Sequence, residues 1–261
     1  PALGSVASFF DLSLNRPNLA ALGINPFSAA AVLSLGFSVI NLVWIWARFK
    51  ETLPQQPRDP DEVPTRIRHP LRELIAADAG PARRTNWLYF IYILSFSGME
   101  FSLPFLATER FGYAPTDMFK IFVFLGVVLI FTQGGIVRRA VPKFGEKPVL
   151  IAGLAFVSLG ILIVGFANNT GLLYTGLAAL GLGSGLTNPA VSALVSLYSP
   201  ASQQGGMLGI FRALGSLARA IGPLTACFFY WWFGGTVTYL ACALLVLIPC
   251  VLTFPLPKPS K

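Results

Sequence analysis

The sequence predicts an all-α protein that crosses a lipid bilayer several times, and three observations carry that prediction. Hydrophobic side chains make up 54% of the 261 residues against 11% charged, a balance foreign to soluble domains. Mean hydropathy is +0.67, and the apolar residues gather into runs near twenty long, the length at which a helix spans ~30 Å of hydrocarbon. Of the 19 Lys and Arg, all but Arg212 and Arg219 lie at the ends of those runs or between them rather than on an amphipathic or aromatic-interleaved face. The net charge of +8 therefore reports topology and not nucleic-acid binding. A soluble enzyme is excluded on the same grounds.

Taken in order, Pro1–Leu14 is apolar but too short to cross, and reads as the tail of a helix. Spans are expected at 26–47, 86–106, 118–136, 148–167, 171–197, 207–233 and 235–255, seven in all. Between the first two lies 48–85, with Pro54, Pro57, Pro60, Pro64, Pro70, Pro81 and six of the eleven acidic residues. Such a stretch cannot bury a core and reads as a linker. Within it, Arg66–Ala77 places Leu71, Leu74 and Ile75 on one helical face with arginines opposite. Two readings stay open, a short helix on an anionic leaflet or a solvated linker.

Loop charge orients the spans. Arg48, Lys50, Arg58, Arg66, Arg68, Arg72, Arg83, Arg84, Arg138, Arg139, Lys143, Lys147, Lys258 and Lys261 fall on one side, and Arg16, Arg110 and Lys120 on the other. Fourteen against three assigns the basic side, with 48–85 and the C-terminus, to the cytoplasm. With no retention signal, the plasma or cytoplasmic membrane is the default location. The expected divisions are 1–50, a cytoplasmic linker over 51–85, and a six-helix bundle over 86–261.

Other chemistry finds little support. Cys227, Cys242 and Cys250 lie in apolar runs without Cys-x-x-Cys spacing, and His69 sits in a polar stretch, so neither a metal site nor a disulfide framework is expected. No Ser/His/Asp triad, phosphate loop or zinc-helix motif occurs. No cofactor is expected.

Particular motifs then point to a family. The run Gly134-Gly135-Ile136-Val137-Arg138-Arg139-Ala140-Val141-Pro142-Lys143-Phe144-Gly145-Glu146-Lys147 resembles the glycine-and-basic cytoplasmic loop motif of the major facilitator superfamily, in its weaker copy between helices eight and nine. Arg138 stands where the family often has an acid, which leaves a carboxylate latch without its residue. Gly135 is expected to allow close helix approach, and Arg138, Arg139 and Lys147 to anchor at headgroups and bond exposed helix carbonyls. The run Gly205–Pro223 resembles helix eleven of drug:proton antiporters. Gly222-Pro223 and Pro1-Ala2-Leu3-Gly4 resemble the two copies of the antiporter glycine-proline signature, and Glu51-Thr52-Leu53-Pro54 resembles the close of helix six. Leu208–Pro223 and Ser97-Gly98-Met99-Glu100-Phe101 are most similar to tetracycline-transporter-like organic anion transporters. The resemblance implies the major facilitator fold: the tail of helix five and helix six in 1–50, ending an N-terminal bundle, and helices seven to twelve in 86–261. It also implies that the rest of the N-terminal half belongs to the same parent chain.

Glu100 is the most informative residue. It lies some fourteen positions into its span, and an ionised carboxylate near the bilayer centre costs about 2.5–3.5 kcal/mol. It must be paired, protonated or facing water, and a carboxyl in a cavity that opens alternately to each side suits proton uptake and release. A structural ion pair or interhelical hydrogen bond is the other reading. Arg212 and Arg219 are seven apart, hence on nearly one face of their helix. Arg219 and Glu100 fall at similar depth, whereas Arg212 sits where it can snorkel to the inner surface. Since helices seven, eight, ten and eleven line the cavity in this family, the resemblance implies that Glu100 and Arg219 face each other across it.

Two arginines and one carboxylate favour organic anions over cations. Gln133, Asn188, Ser97, Tyr89 and Tyr92 are candidates for orienting hydrogen bonds and stacking, or else helix-interface residues. Gly181, Gly185 and Pro189, with Gly222 and Pro223, read as gating or packing positions. Trp231 and Trp232 read as interface anchors. The expected function is proton-coupled transport of small amphipathic organic anions by alternating access, with a small-molecule substrate, protons and the bilayer as partners. The alternatives are a non-transporting scaffold or receptor of the same fold and, less favoured for want of a polar pore stripe, a passive channel.

Overall fold

A computed structural model of the chain describes residues 28–49, 80–114, 117–200 and 203–258. The chain divides into two units, Pro1–Val63 and Pro64–Lys261. The described part of the first is one helix, α1 (Ser28–Arg48). The expectations for Pro1–Leu14, the proline-rich stretch through residue 79 with its Arg66–Ala77 segment, Pro1–Gly4 and Glu51–Pro54 lie outside the described residues.

In the second unit α2 (Pro81–Phe111) starts five residues ahead of the expected span. Gly80 and Pro81 set the start, because proline at the first helical position gives up an amide that has no helical partner anyway. Gly112, left-handed at φ 64°, ends it. Ahead of the next helix, Asp117 accepts a 2.8 Å bond from Lys120, and that hydrogen bond holds its carboxyl below the usual range. α3 (Met118–Phe144) contains a π-helical turn, Thr132–Val137, between two α-helical segments. Gly145, at φ 85°, turns the chain into α4 (Glu146–Phe166). Asn169 caps α5 (Thr170–Tyr198) by accepting from the Leu172 amide at 2.8 Å. The helical stretch Gln204–Thr253 breaks at Gly234 (φ 76°, ψ 170°) into α6, residues 204–233, and α7, residues 235–253. That break falls where the sequence separates its last two spans. No strand forms among the described residues.

In a bilayer, helices gain little from burying apolar surface against one another, so close packing of small residues holds the bundle. A Cβ on Gly160 of α4 would stand 2.6 Å from the Leu180 amide nitrogen and 2.8 Å from the Gly176 carbonyl oxygen of α5. Gly153 and Gly183 continue that backbone-to-backbone crossing. Gly181 and Gly185, on another face of α5, seat against Val128 and Thr132 of α3. At a second crossing, a Cβ on Gly98 of α2 would meet the Gly222 carbonyl oxygen of α6 at 2.9 Å. Hydroxyls then tie α7 in place: Ser95 donates to the Cys242 carbonyl (2.7 Å), Ser158 to that of Ala243 (2.9 Å), and Tyr239 to that of Met99 (3.2 Å).

The core holds Leu103, Leu106, Ile121, Leu154, Ile161, Leu177 and Leu194, all fully buried, while Phe131, Leu224 and Trp231 stand exposed. An apolar exterior of this kind is what a hydrocarbon solvent selects. A cation fastens each end of the bundle. Arg110, at the end of α2, donates to the carbonyls of Gly165 (2.8 Å) and Ala167 (3.1 Å) and to the Thr236 hydroxyl (2.6 Å). Lys147, at the start of α4, donates to the carbonyls of Phe254 (2.8 Å) and Leu256 (2.5 Å) beyond the last turn of α7. Arg138 and Arg139 are exposed and make no such bond among the described residues. Gly135 requires a correction: a Cβ there meets nothing within 4 Å, so it makes no close helix approach among the described residues. The π-helical turn is the physical reason, since it shifts the rotational phase so that Thr132 meets α5 and the two glycines turn away.

Candidate functional site

The Gly98–Gly222 crossing positions the charged residues. Because α2 and α6 approach to backbone contact there, side chains within one turn of it converge on one cleft: Ser97 and Glu100 from α2, Arg219 and Pro223 from α6. Its volume is about 450 Å³, and Phe101, Pro104 and Phe105 of α2 with Phe122 of α3 complete the lining. Glu100 and Arg219 are exposed to the cleft. They are near enough to interact electrostatically, yet among the described residues neither forms an ion pair within 4 Å. The site is therefore an apolar cleft with one carboxylate and one guanidinium held apart, each with unused hydrogen-bonding capacity.

The other candidates are distributed more widely. Ser97 reaches the cleft, but its hydroxyl already donates to the Ala218 carbonyl at 3.3 Å. Tyr89 stacks on Phe211 of α6 (centroids 3.9 Å apart) and covers Gly215. Tyr92 is fully buried behind the cleft, within electrostatic reach of Glu100, Arg219 and Asn188. Its hydroxyl faces the Asn188 side chain but makes no hydrogen bond of normal geometry among the described residues. Asn188 is half-buried one position before Pro189. Gln133 is exposed in the π-helical turn, and Arg212, seven residues before Arg219, is exposed away from the cleft. The structure thus brings together Glu100, Arg219, Ser97 and Pro223, but not Arg212, Gln133, Asn188, Tyr89 or Tyr92. Sequence reasoning missed the phenylalanines. Pro104, four residues after Glu100, was accessible from helical spacing, whereas Phe101 and Phe105 lie in other rows of α2 and Phe122 required the tertiary placement of α3.

No group of three or more His, Cys, Asp or Glu side chains suited to a metal occurs among the described residues. The three cysteines are free thiols in apolar surroundings.

Comparison with known proteins places this architecture. Residues 136–261 match the Major Facilitator Superfamily domain. The chain is 32% identical over 246 residues to mouse Major facilitator superfamily domain-containing protein 10, a match covering 88% of this chain and 54% of that protein. It is 29% identical over 144 residues to the class C tetracycline resistance protein of Escherichia coli, covering 51% and 36%. The crystal structure of the human organic anion transporter MFSD10 (TETRAN) superimposes with a TM-score of 0.77 at 28% identity, covering 97% of this chain and 63% of that one. The chain spans about half the length of the curated relatives of the first group that it matches.

Proposed function

We propose that this chain, which belongs to the major facilitator superfamily, forms part of a secondary active transporter that moves small amphipathic organic anions by alternating access, driven by protons. The superfamily is one of membrane transporters and not of enzymes. The observation that carries the finer reading is the separation of Glu100 and Arg219 within one apolar cleft. A guanidinium without an ion-pair partner offers a planar two-pronged donor to a carboxylate or sulfonate. A carboxyl beside it at membrane depth changes its protonation with what the guanidinium binds. An anion entering the cleft then competes with Glu100 for Arg219, and uptake of a proton by Glu100 relieves the competition.

The aromatic lining supports an amphipathic cargo, since apolar walls with few polar groups are the usual composition of small-molecule pockets. That a structural relative is an organic anion transporter supports the sign of the cargo. In this fold the site lies between two halves that rock about it, so transport requires the other half of the parent protein. The C-terminus is assigned to the cytoplasm on the Lys/Arg asymmetry. One proton moving with one monovalent anion is electroneutral, so the pH gradient is the drive, and each pH unit supplies about 1.4 kcal/mol, enough for roughly tenfold accumulation.

The test is uptake of a panel of organic anions and cations into proteoliposomes by the full-length protein, with and without an imposed pH gradient. Saturable, gradient-stimulated anion uptake is expected, and Glu100→Gln should abolish the stimulation. A well-folded protein that transports nothing on the panel points instead to a scaffold or receptor. Equal gradient stimulation in the Glu100→Gln form refutes the coupling role.

A further inference from the structure

A second cavity, unrelated to the cleft, opens at the end of the bundle where α3 turns into α4. It holds about 690 Å³ between the start of α4, the end of α5 and the end of α7, within the usual size range of small-molecule sites. Its two ends differ in chemistry. At one, the lining carries Lys147, Lys258 and a single carboxylate, Glu146, and Lys143 sits over the lining Phe144 ring 5.2 Å from its centroid. Lys147 is fixed there by its bonds to the Phe254 and Leu256 carbonyls, while Lys258 is exposed and makes no ion pair among the described residues. At the other end the walls are apolar, with Ile151, Ala152 and Ala155 of α4 facing Leu197 and Phe254.

The small side chains Ala152 and Ala155 leave a trough on α4. The same face continues through Phe156 (40% exposed) and Leu159 (48% exposed), positions that fall in one row along a helix. The apolar end of the cavity therefore leads into a stripe directed at hydrocarbon, and the cationic end lies at the helix termini, where headgroups are met. A free anion has no use for the apolar trough, and an uncharged lipid has none for the lysines.

We propose that this cavity binds one anionic glycerophospholipid, its phosphate on Lys258 and Lys143 and one acyl chain along Ala152, Ala155 and Leu159. Because the lipid would bridge the α3–α4 turn and the tail after α7, it would clamp three helix ends that Lys147 already gathers. This inference needs only that the chain lies in a bilayer, and stands apart from the transport reading.

The experiment is native mass spectrometry of the delipidated full-length protein, titrated with dioleoyl phosphatidylglycerol or dioleoyl phosphatidylcholine in detergent. A parallel thermal-unfolding series adds inorganic phosphate alone. One phosphatidylglycerol should be retained at least tenfold more strongly than phosphatidylcholine. Lys258→Gln should remove most of that preference, and Ala155→Trp, which fills the trough while keeping every charge, should reduce retention of the anionic lipid at least fivefold. Arg84→Gln removes the same charge from an exposed position of α2 outside the cavity and should leave retention unchanged. Equal losses in the Arg84 and Lys258 variants would show diffuse electrostatics and overturn the proposal. So would full stabilisation by inorganic phosphate, or unaltered retention in an Ala155→Trp protein that unfolds at the parent temperature.

Discussion

Replacing Gly160 by alanine tests how this bundle is held together. In the structure a Cβ at that position stands 2.6 Å from the Leu180 amide nitrogen and 2.8 Å from both the Gly176 carbonyl oxygen and the Leu180 Cγ. Two of those three obstacles are backbone, so no rotamer change relieves them, and α4 and α5 must separate by roughly 1 Å along a tightly packed crossing. Overpacking of this kind costs about 1–3 kcal/mol. Alanine in a helix recovers about 0.5–1 kcal/mol relative to glycine, which leaves a net loss of about 1–2 kcal/mol. At roughly 2–4 °C per kcal/mol, thermal unfolding of the purified full-length protein should fall by roughly 2–8 °C. Gly126 of α3 is the internal comparison, since a Cβ there meets nothing within 4 Å; its alanine variant should unfold at the parent temperature or slightly above. If Gly160→Ala is as stable as the parent, the account of the α4–α5 crossing is wrong.

Two further stability predictions follow from the ends of the bundle. Arg110→Ala removes one guanidinium from three acceptors on α7 and the end of α4; with charge-assisted bonds at about 1.5–3 kcal/mol each and partial exposure, a loss of about 2–3 kcal/mol is expected in chemical unfolding, and Arg110→Lys should recover only part of it. Gly234→Ala forces a side chain onto φ 76°, ψ 170°, a region close to glycine-only, and should cost about 1–3 kcal/mol; an unaltered melting temperature would mean that the α6–α7 break takes another shape.

Much of this was legible in the sequence because hydropathy and punctuation act locally. The spans are set by runs of apolar residues, and the α6–α7 break by the Gly234-Gly235 pair between Phe233 and Thr236. Glu100 and Arg219 stood out because charge inside a span is expensive. The part that was not legible depends on rotation and on distant pairing. Nothing in Thr132–Val137 announces a π-helical turn, and its phase shift is what removes Gly135 from the helix interface. Arg110 reads as an outer loop charge, yet its partners lie 55, 57 and 126 residues away. Ser97 and Tyr89 read equally as substrate contacts or helix-interface residues, and only the α2–α6 approach shows the Ser97 hydroxyl on a backbone carbonyl and Tyr89 stacked on Phe211.

The central claim is that Glu100 exchanges a proton when an anion occupies the cleft beside Arg219. Proton exchange on substrate addition, followed with a soluble pH indicator in weakly buffered detergent solution, measures this step without requiring transport. The account predicts uptake of about one proton per protein on addition of a transported anion, as expected when a carboxyl gives up its share of a guanidinium. It also predicts that Glu100→Gln binds the anion with no proton signal. Proton exchange of the same size in Glu100→Gln, or anion binding by the parent with no proton exchanged across the pH range, would contradict it.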